Sequence, residues 1–129
     1  DRAAVEKNRA LFFAAAGIGN ESVFFLNQIH SDVVYEISGE EIWINPPAGD
    51  GLVTGAANVF LGVCTADCLP VVLYNQATGR LANLHLGWRG IRHRFVGEVI
   101  RRLGEVNQIL VYIGPHIKKC CYNVEKYPQ

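Results

Sequence analysis

Apolar residues in the first segment of the chain recur at a helical interval. Val5, Leu11, Phe12 and Ala15 supply the apolar positions of a helix from about Ala3 to Ala16, and Gly17 stands where such a helix ends. The rhythm then shortens. Val23-Phe24-Phe25-Leu26, Val33-Val34-Tyr35-Glu36-Ile37 and Glu41-Ile42-Trp43-Ile44 have the composition of short strands, and residues 45–51, rich in Pro, Gly and Asn, read as a loop. The centre is more uniformly apolar. Residues 58–64 and 70–74 are near-continuous hydrophobic runs, which predicts strands buried on both faces. Asn75-Gln76-Ala77-Thr78-Gly79 has the make-up of a hairpin loop, leading into a return strand from Leu81 to Leu86. Beyond Gly90 the helical period resumes in Ile91, Phe95, Val96, Val99, Ile100 and Leu103, with arginines interleaved and Gly104 closing the helix. Ile109 to Ile113 reads as a further buried strand. Helix, several strands, helix and strand in this order predict an α+β fold, with mixed sheets packed against helices. Residues 1–129 show no repeat, no low-complexity tract and no linker, so one domain is expected.

Composition narrows the partners. A chain of 129 residues, half of them hydrophobic, is long enough to bury a core. Twelve basic side chains balance 12 acidic ones, with no basic block, which argues against nucleic acid or an anionic membrane as the main partner. Neither a leader pattern nor an apolar run of about 18 residues is present, and a cytoplasmic location is the expectation. The four cysteines do not form a disulfide framework by spacing: Cys120 and Cys121 are adjacent, and Cys64 lies close to Cys68. Cys64, inside an apolar run, is expected in the core. With no methionine and Asp1 at its start, the sequence reads as a partial or trimmed chain.

The candidate chemistry gathers around Cys68 and His85. Cys68 precedes Pro70, which suits the start of a strand because it has no N–H to donate. His85 stands near the end of the return strand. If the two strands pair as a hairpin, Cys68 and His85 converge. His30, expected at the end of its own strand before Ser31-Asp32, is the third member. Two imidazoles and a thiolate hold zinc with a fourth position open for chemistry. The same residue types suit copper, or a Cys/His hydrolase with Cys68 as nucleophile and His85 as base. Isolated His and Cys residues at such places are also ordinary hydrogen-bonded or packing residues. The residues alone leave these readings open.

Ordered motifs add a resemblance. Gln28-Ile29-His30, Asp50-Gly51-Leu52-Val53-Thr54, Ala66-Asp67-Cys68-Leu69-Pro70-Val71, His85-Leu86-Gly87-Trp88-Arg89-Gly90, Ile113-Gly114-Pro115 and Cys121-Tyr122-Asn123-Val124 follow one another along the chain. Together they resemble the family long described as multicopper polyphenol oxidases, or laccase-domain proteins, and now as purine nucleoside phosphorylases. The resemblance implies zinc held by His30, Cys68 and His85. It implies phosphorolysis of adenosine, inosine, guanosine and methylthioadenosine, with nucleoside and phosphate as partners, and hydrolytic deamination of adenosine. The implied fold is a layered α/β/β/α sandwich, and a homodimer is a further expected assembly. The family pattern extends beyond both ends of this chain, so an inactive zinc-binding module is a rival to the enzyme.

The older laccase label is tested by counting ligands. His30, His85, His93 and His116 are the only histidines and there is no methionine, too few to furnish a blue-copper site and a three-copper cluster. A single copper at His30, Cys68 and His85 is the weaker alternative to zinc. Three catalytic roles follow as expectations. Asp67, beside Cys68, is a candidate for proton transfer or contact with the base. Arg89 is a candidate for phosphate through its planar guanidinium, or else stacks on Trp88. Gln28 is placed behind the metal ligands or on substrate. His116, after Ile113-Gly114-Pro115, is a pocket residue without a ligand role.

Overall fold

The apolar runs in the middle of the chain pair as expected. In the computed structural model, which describes residues 1–19 and 23–122, Leu69–Asn75 and Leu81–Leu86 form an antiparallel hairpin with Leu69 opposite Leu86 and Pro70 opposite His85. Around it the chain contributes, in order, helix α1 (Arg2–Ala15), strands β1 (Val23–Phe24), β2 (Val34–Ile37), β3 (Gly51–Thr54) and β4 (Phe60–Leu61), the hairpin strands β5 and β6, helices α2 (Trp88–Arg92) and α3 (Phe95–Leu103), a 3-10 turn at Val106–Gln108 and strand β7 (Ile109–Ile113). The main sheet runs β2-β3-β6-β5-β7, parallel only between β2 and β3, and β1 and β4 form a small parallel sheet. This is an α+β fold.

Strand alternation distributes the core on two sides. Phe95, Val99 and Leu103 repeat at one turn of α3 and pack on Val53, Val71, Leu73, Ala82, Leu84 and Leu86. On the opposite face Leu52 and Ile37 pack with Phe24 and Leu26, edged by Tyr35, Trp43, Val59 and Leu61. Strand β3 lies between the two clusters and all four of its residues are buried. Gly51 permits this: a Cβ there would lie 2.7 Å from both Phe95 and Val34 side-chain carbons. Asn75, fully buried, ties the hairpin turn to the end of α3. Its Oδ1 accepts from the Ala77 and Thr78 amides, while its Nδ2 donates to the carbonyls of Leu103 and Glu105.

Several expectations are corrected. The helix foreseen from Ile91 to Leu103 is two helices, because Arg94 adopts a left-handed backbone (φ 56) that redirects the chain and turns Phe95 onto the sheet. Residues 41–44 form no strand. The Glu41 carboxylate instead accepts from the amides of Ser38 and Gly39 and closes a turn, leaving Ile42 and Ile44 exposed while Trp43 meets Phe24 edge-on at 5.7 Å. The run at 58–64 keeps only Phe60 and Leu61 as strand, and Cys64 is exposed rather than in the core. Strand β5 buries Val71, Leu73 and Asn75 but leaves the alternate residues half-buried or open. Strand β7 is the sheet edge, with Leu110 to Ile113 exposed, not the buried strand its composition suggests. Helix α1 buries none of its residues, and Phe13 meets Phe25 with ring centroids 6.4 Å apart. Among the described residues no helix is long and apolar enough to cross a membrane.

Candidate metal centre

The pleat of β6 decides where His85 points. Leu84 and Leu86 face α3, so His85 between them faces the other side, where it is buried. Cys68 immediately precedes β5, and the register that sets Leu69 against Leu86 brings it to the same end of the hairpin. His30 arrives by another route. It lies in a loop rather than at a strand end, with a left-handed backbone (φ 60). Its Nε2 stands 3.6 Å from Cys68 Sγ, and its ring meets that of His85 edge-to-face at 4.8 Å between centroids. One donor atom from each of His30, Cys68 and His85 lies within 4.8 Å of the other two. A tetrahedral zinc with its usual bond lengths separates N and S ligands by about 3.6 Å. The 3.6 Å between His30 and Cys68 matches such an edge, and the three donors together are of the right chemistry and close enough to hold a metal ion.

Asp50 holds the group from behind. Fully buried between Gly49 and Gly51, its carboxylate accepts from His85 Nδ1 at 2.7 Å and from the amides of His30 at 3.0 Å and Ser31 at 2.6 Å. The Ser31 hydroxyl at 2.7 Å and the Ile29 amide at 3.3 Å complete its partners. Burial pushes the Asp50 carboxyl up, but the hydrogen bonds from Ser31, His85 and His30 outweigh it and hold it below its ordinary value. It is therefore an ionised acceptor. Cys68 behaves oppositely: burial, then the charges of Asp67 and Asp50, push its thiol up. A bound cation reverses that balance, since a coordinating thiol is deprotonated.

Gly87 gives the site its room, because a Cβ there would lie 2.5 Å from His30 Cδ2. Beside Cys68 opens a cleft of about 580 Å³ whose lining includes Asp67, Trp88, Ile91, His116, Lys119 and Tyr122. His116 thus lies on the cleft, with its Nδ1 bonded to the Gly114 carbonyl at 2.9 Å. Asp67 is exposed at the rim, and its carbonyl accepts from the Ile117 amide at 3.0 Å. Arg89 is exposed and its guanidinium lies 5.3 Å from the Trp88 ring centre, the stacked arrangement. Gln28 lines a different cleft, of about 520 Å³, with Arg9, Phe25 and Cys64 among its walls. There both ends of its amide are engaged by the backbone of Cys64, at 2.7 Å each. The three expected ligands are brought together, with Asp67 on the cleft that Cys68 borders, while Gln28 is tied to the loop that carries Cys64. Asp50 is the member of the site that the sequence motifs do not single out for a role. Its signal was an acidic residue between two glycines at the entry to an apolar stretch.

The relatives of the chain bear on this arrangement. The family model for multi-copper polyphenol oxidoreductase laccase matches residues 1–128. A purine nucleoside phosphorylase of Clostridium acetobutylicum is 37% identical over 107 residues, which cover 79% of this chain and 44% of that protein. One from Mycobacterium tuberculosis is 36% identical over 128 residues, 96% of this chain and 51% of that protein. The crystal structure of YlmD from Geobacillus stearothermophilus superposes with a TM-score of 0.85 at 28% identity, over 95% of this chain and 50% of that one. The chain spans about half the length of the curated relatives it matches. With a family model matched along nearly its whole length, the chain belongs to the multi-copper polyphenol oxidoreductase laccase family.

Proposed function

We propose that this chain carries the metal centre of a purine nucleoside phosphorylase, with zinc held by His30, Cys68 and His85. The observation that carries the reading is the convergence of these three donors beside the cleft next to Cys68, in a chain whose relatives are named for that activity. Zinc bound there supplies a Lewis acid with an open coordination position. The remaining work falls to the protein. Trp88 and Ile91 offer an apolar wall to a purine, and Asp67 stands at the rim as a proton acceptor. Lys119 and His116 line the same cleft and are candidates to meet phosphate. Arg89 joins them if its guanidinium leaves the face of Trp88. In phosphorolysis a phosphate oxygen attacks the anomeric carbon of ribose and the purine leaves with the electrons of the glycosidic bond. The products are free base and ribose 1-phosphate.

The substrates proposed are adenosine, inosine, guanosine and methylthioadenosine, and adenosine deamination is a second reaction of the same centre. Incubation of zinc-loaded protein with adenosine and phosphate is expected to yield adenine and ribose 1-phosphate, and inosine where water attacks the purine ring. A chain that forms no product above a His85→Ala control is not the enzyme proposed. Metal analysis of protein purified without chelator is expected to find one zinc per chain, and copper in its place would overturn the metal assignment.

A further inference from the structure

One carboxylate touches both histidine ligands. Asp50 Oδ1 lies 2.7 Å from His85 Nδ1 and 3.0 Å from the His30 amide, and Oδ2 gathers the Ser31 amide, the Ser31 hydroxyl and the Ile29 amide. We infer that Asp50 is a positioning residue that fixes the tautomer of His85 and the backbone pose of His30 together, so that each ring presents Nε2 to the metal. The inference rests on reading these two residues and Cys68 as metal ligands.

Two steps lead to it. The Asp50 carboxylate already accepts three backbone amides and the Ser31 hydroxyl, the pattern of an acceptor, so the hydrogen of its 2.7 Å contact with His85 sits on Nδ1. That leaves the Nε2 lone pair of His85 for a metal, in the arrangement by which metal-bound imidazoles are commonly oriented. The second step concerns His30. Its left-handed backbone is costly for any residue with a Cβ, yet it points three successive amides, those of Ile29, His30 and Ser31, at a single carboxylate. Amides gathered in this way form a concave anion site, and here the anion is the side chain of Asp50. With the loop so held, His30 Nε2 falls 3.6 Å from Cys68 Sγ. Pose and tautomer thus share one anchor.

The first test needs no variant. Long-range proton–nitrogen correlation spectra of ¹⁵N-labelled, metal-free protein, followed with rising pH until the His85 ring is neutral, are expected to show the remaining proton on Nδ1 and Nε2 bare, and the opposite tautomer overturns the inference. The second test uses D50N, whose amide keeps the shape but must turn a donor either towards His85 Nδ1 and the His30 amide or towards the Ile29 and Ser31 amides. It is expected to lower zinc affinity about 10- to 100-fold in chelator competition and to move the His85 or His30 nitrogen resonances. S31A, which removes a single donor to Oδ2, is expected to keep the His85 tautomer and to bind zinc within about threefold of wild type. D50N with unchanged resonances and affinity overturns the inference. If D50N does not fold, the tautomer in the unaltered protein decides. A wild-type chain that binds no zinc sinks the metal reading, while the tautomer still reports on Asp50.

Discussion

Gly87→Ala isolates the geometry of the candidate metal centre from the stability of the fold. The backbone at Gly87 is extended (φ −77, ψ 173), a conformation alanine adopts freely, so the substitution adds a methyl group without backbone strain. That methyl would lie 2.5 Å from His30 Cδ2 and 3.4 Å from its Cγ. Carbon atoms rest at about 3.5–4.0 Å from one another, so the imidazole must retreat by about 1 Å. Metal–ligand distances hold within about 0.2 Å, and a ring displaced that far no longer completes the site. The expected loss of zinc affinity is at least about 10–100-fold, or about 1.4–2.8 kcal/mol. Because Gly87 also caps the short α2, a separate cost of about 1 kcal/mol or less to the fold is allowed for.

Chelator competition on metal-stripped protein measures the first effect, and thermal melting in excess chelator measures the second. In a His30→Ala background the clash partner is gone, so adding Gly87→Ala should cost no further affinity, a coupling that a double-mutant cycle reads directly. If Gly87→Ala binds zinc within twofold of wild type while remaining folded, His30 is not held against that glycine as described, and the three-donor centre loses its geometric basis.

Three further outcomes are expected. The Glu41 carboxyl, held down at about 2 first of all by the Ser38 amide, stabilises the fold above its ordinary value of 4.5 and loses that contribution as pH falls from there towards 2. Glu41→Gln should therefore melt below wild type at neutral pH, with the gap closing across that acid window; a gap independent of pH removes the turn clamp. Gln28→Ala forfeits two hydrogen bonds to the Cys64 backbone and should cost about 1–2 kcal/mol of stability by denaturant titration, with zinc affinity nearly unchanged. A large loss of turnover at unchanged stability would instead place Gln28 on substrate. Phe95→Ala, at a residue 1% exposed between α3 and Gly51, should cost about 3–5 kcal/mol, and a smaller value would show the site collapsing to fill the void.

What the sequence reveals and what it conceals divide along a physical line. The β5–β6 hairpin is legible because its signals are local: two apolar runs, a turn between them, and a register that follows from the loop. The meeting of Cys68 and His85 comes with it. The break at Arg94 is not legible, because nothing in an unbroken helical period announces a left-handed residue that swings Phe95 onto the sheet. Nor is the exposure of β7, whose apolar residues look the same at an edge as in an interior. His30 is the instructive case. Its approach to Cys68 depends on three loop amides folding around a carboxylate some twenty positions away, a contact with no local trace. Asp50 leaves a fainter sign. An acidic residue in a buried, glycine-flanked position must find donors, since an unpaired charge there is prohibitive, and a histidine on an adjacent strand is among the few side chains able to supply one. A buried aspartate at the mouth of an apolar strand is thus a reason to look for the imidazole it orients, and through that imidazole for a metal.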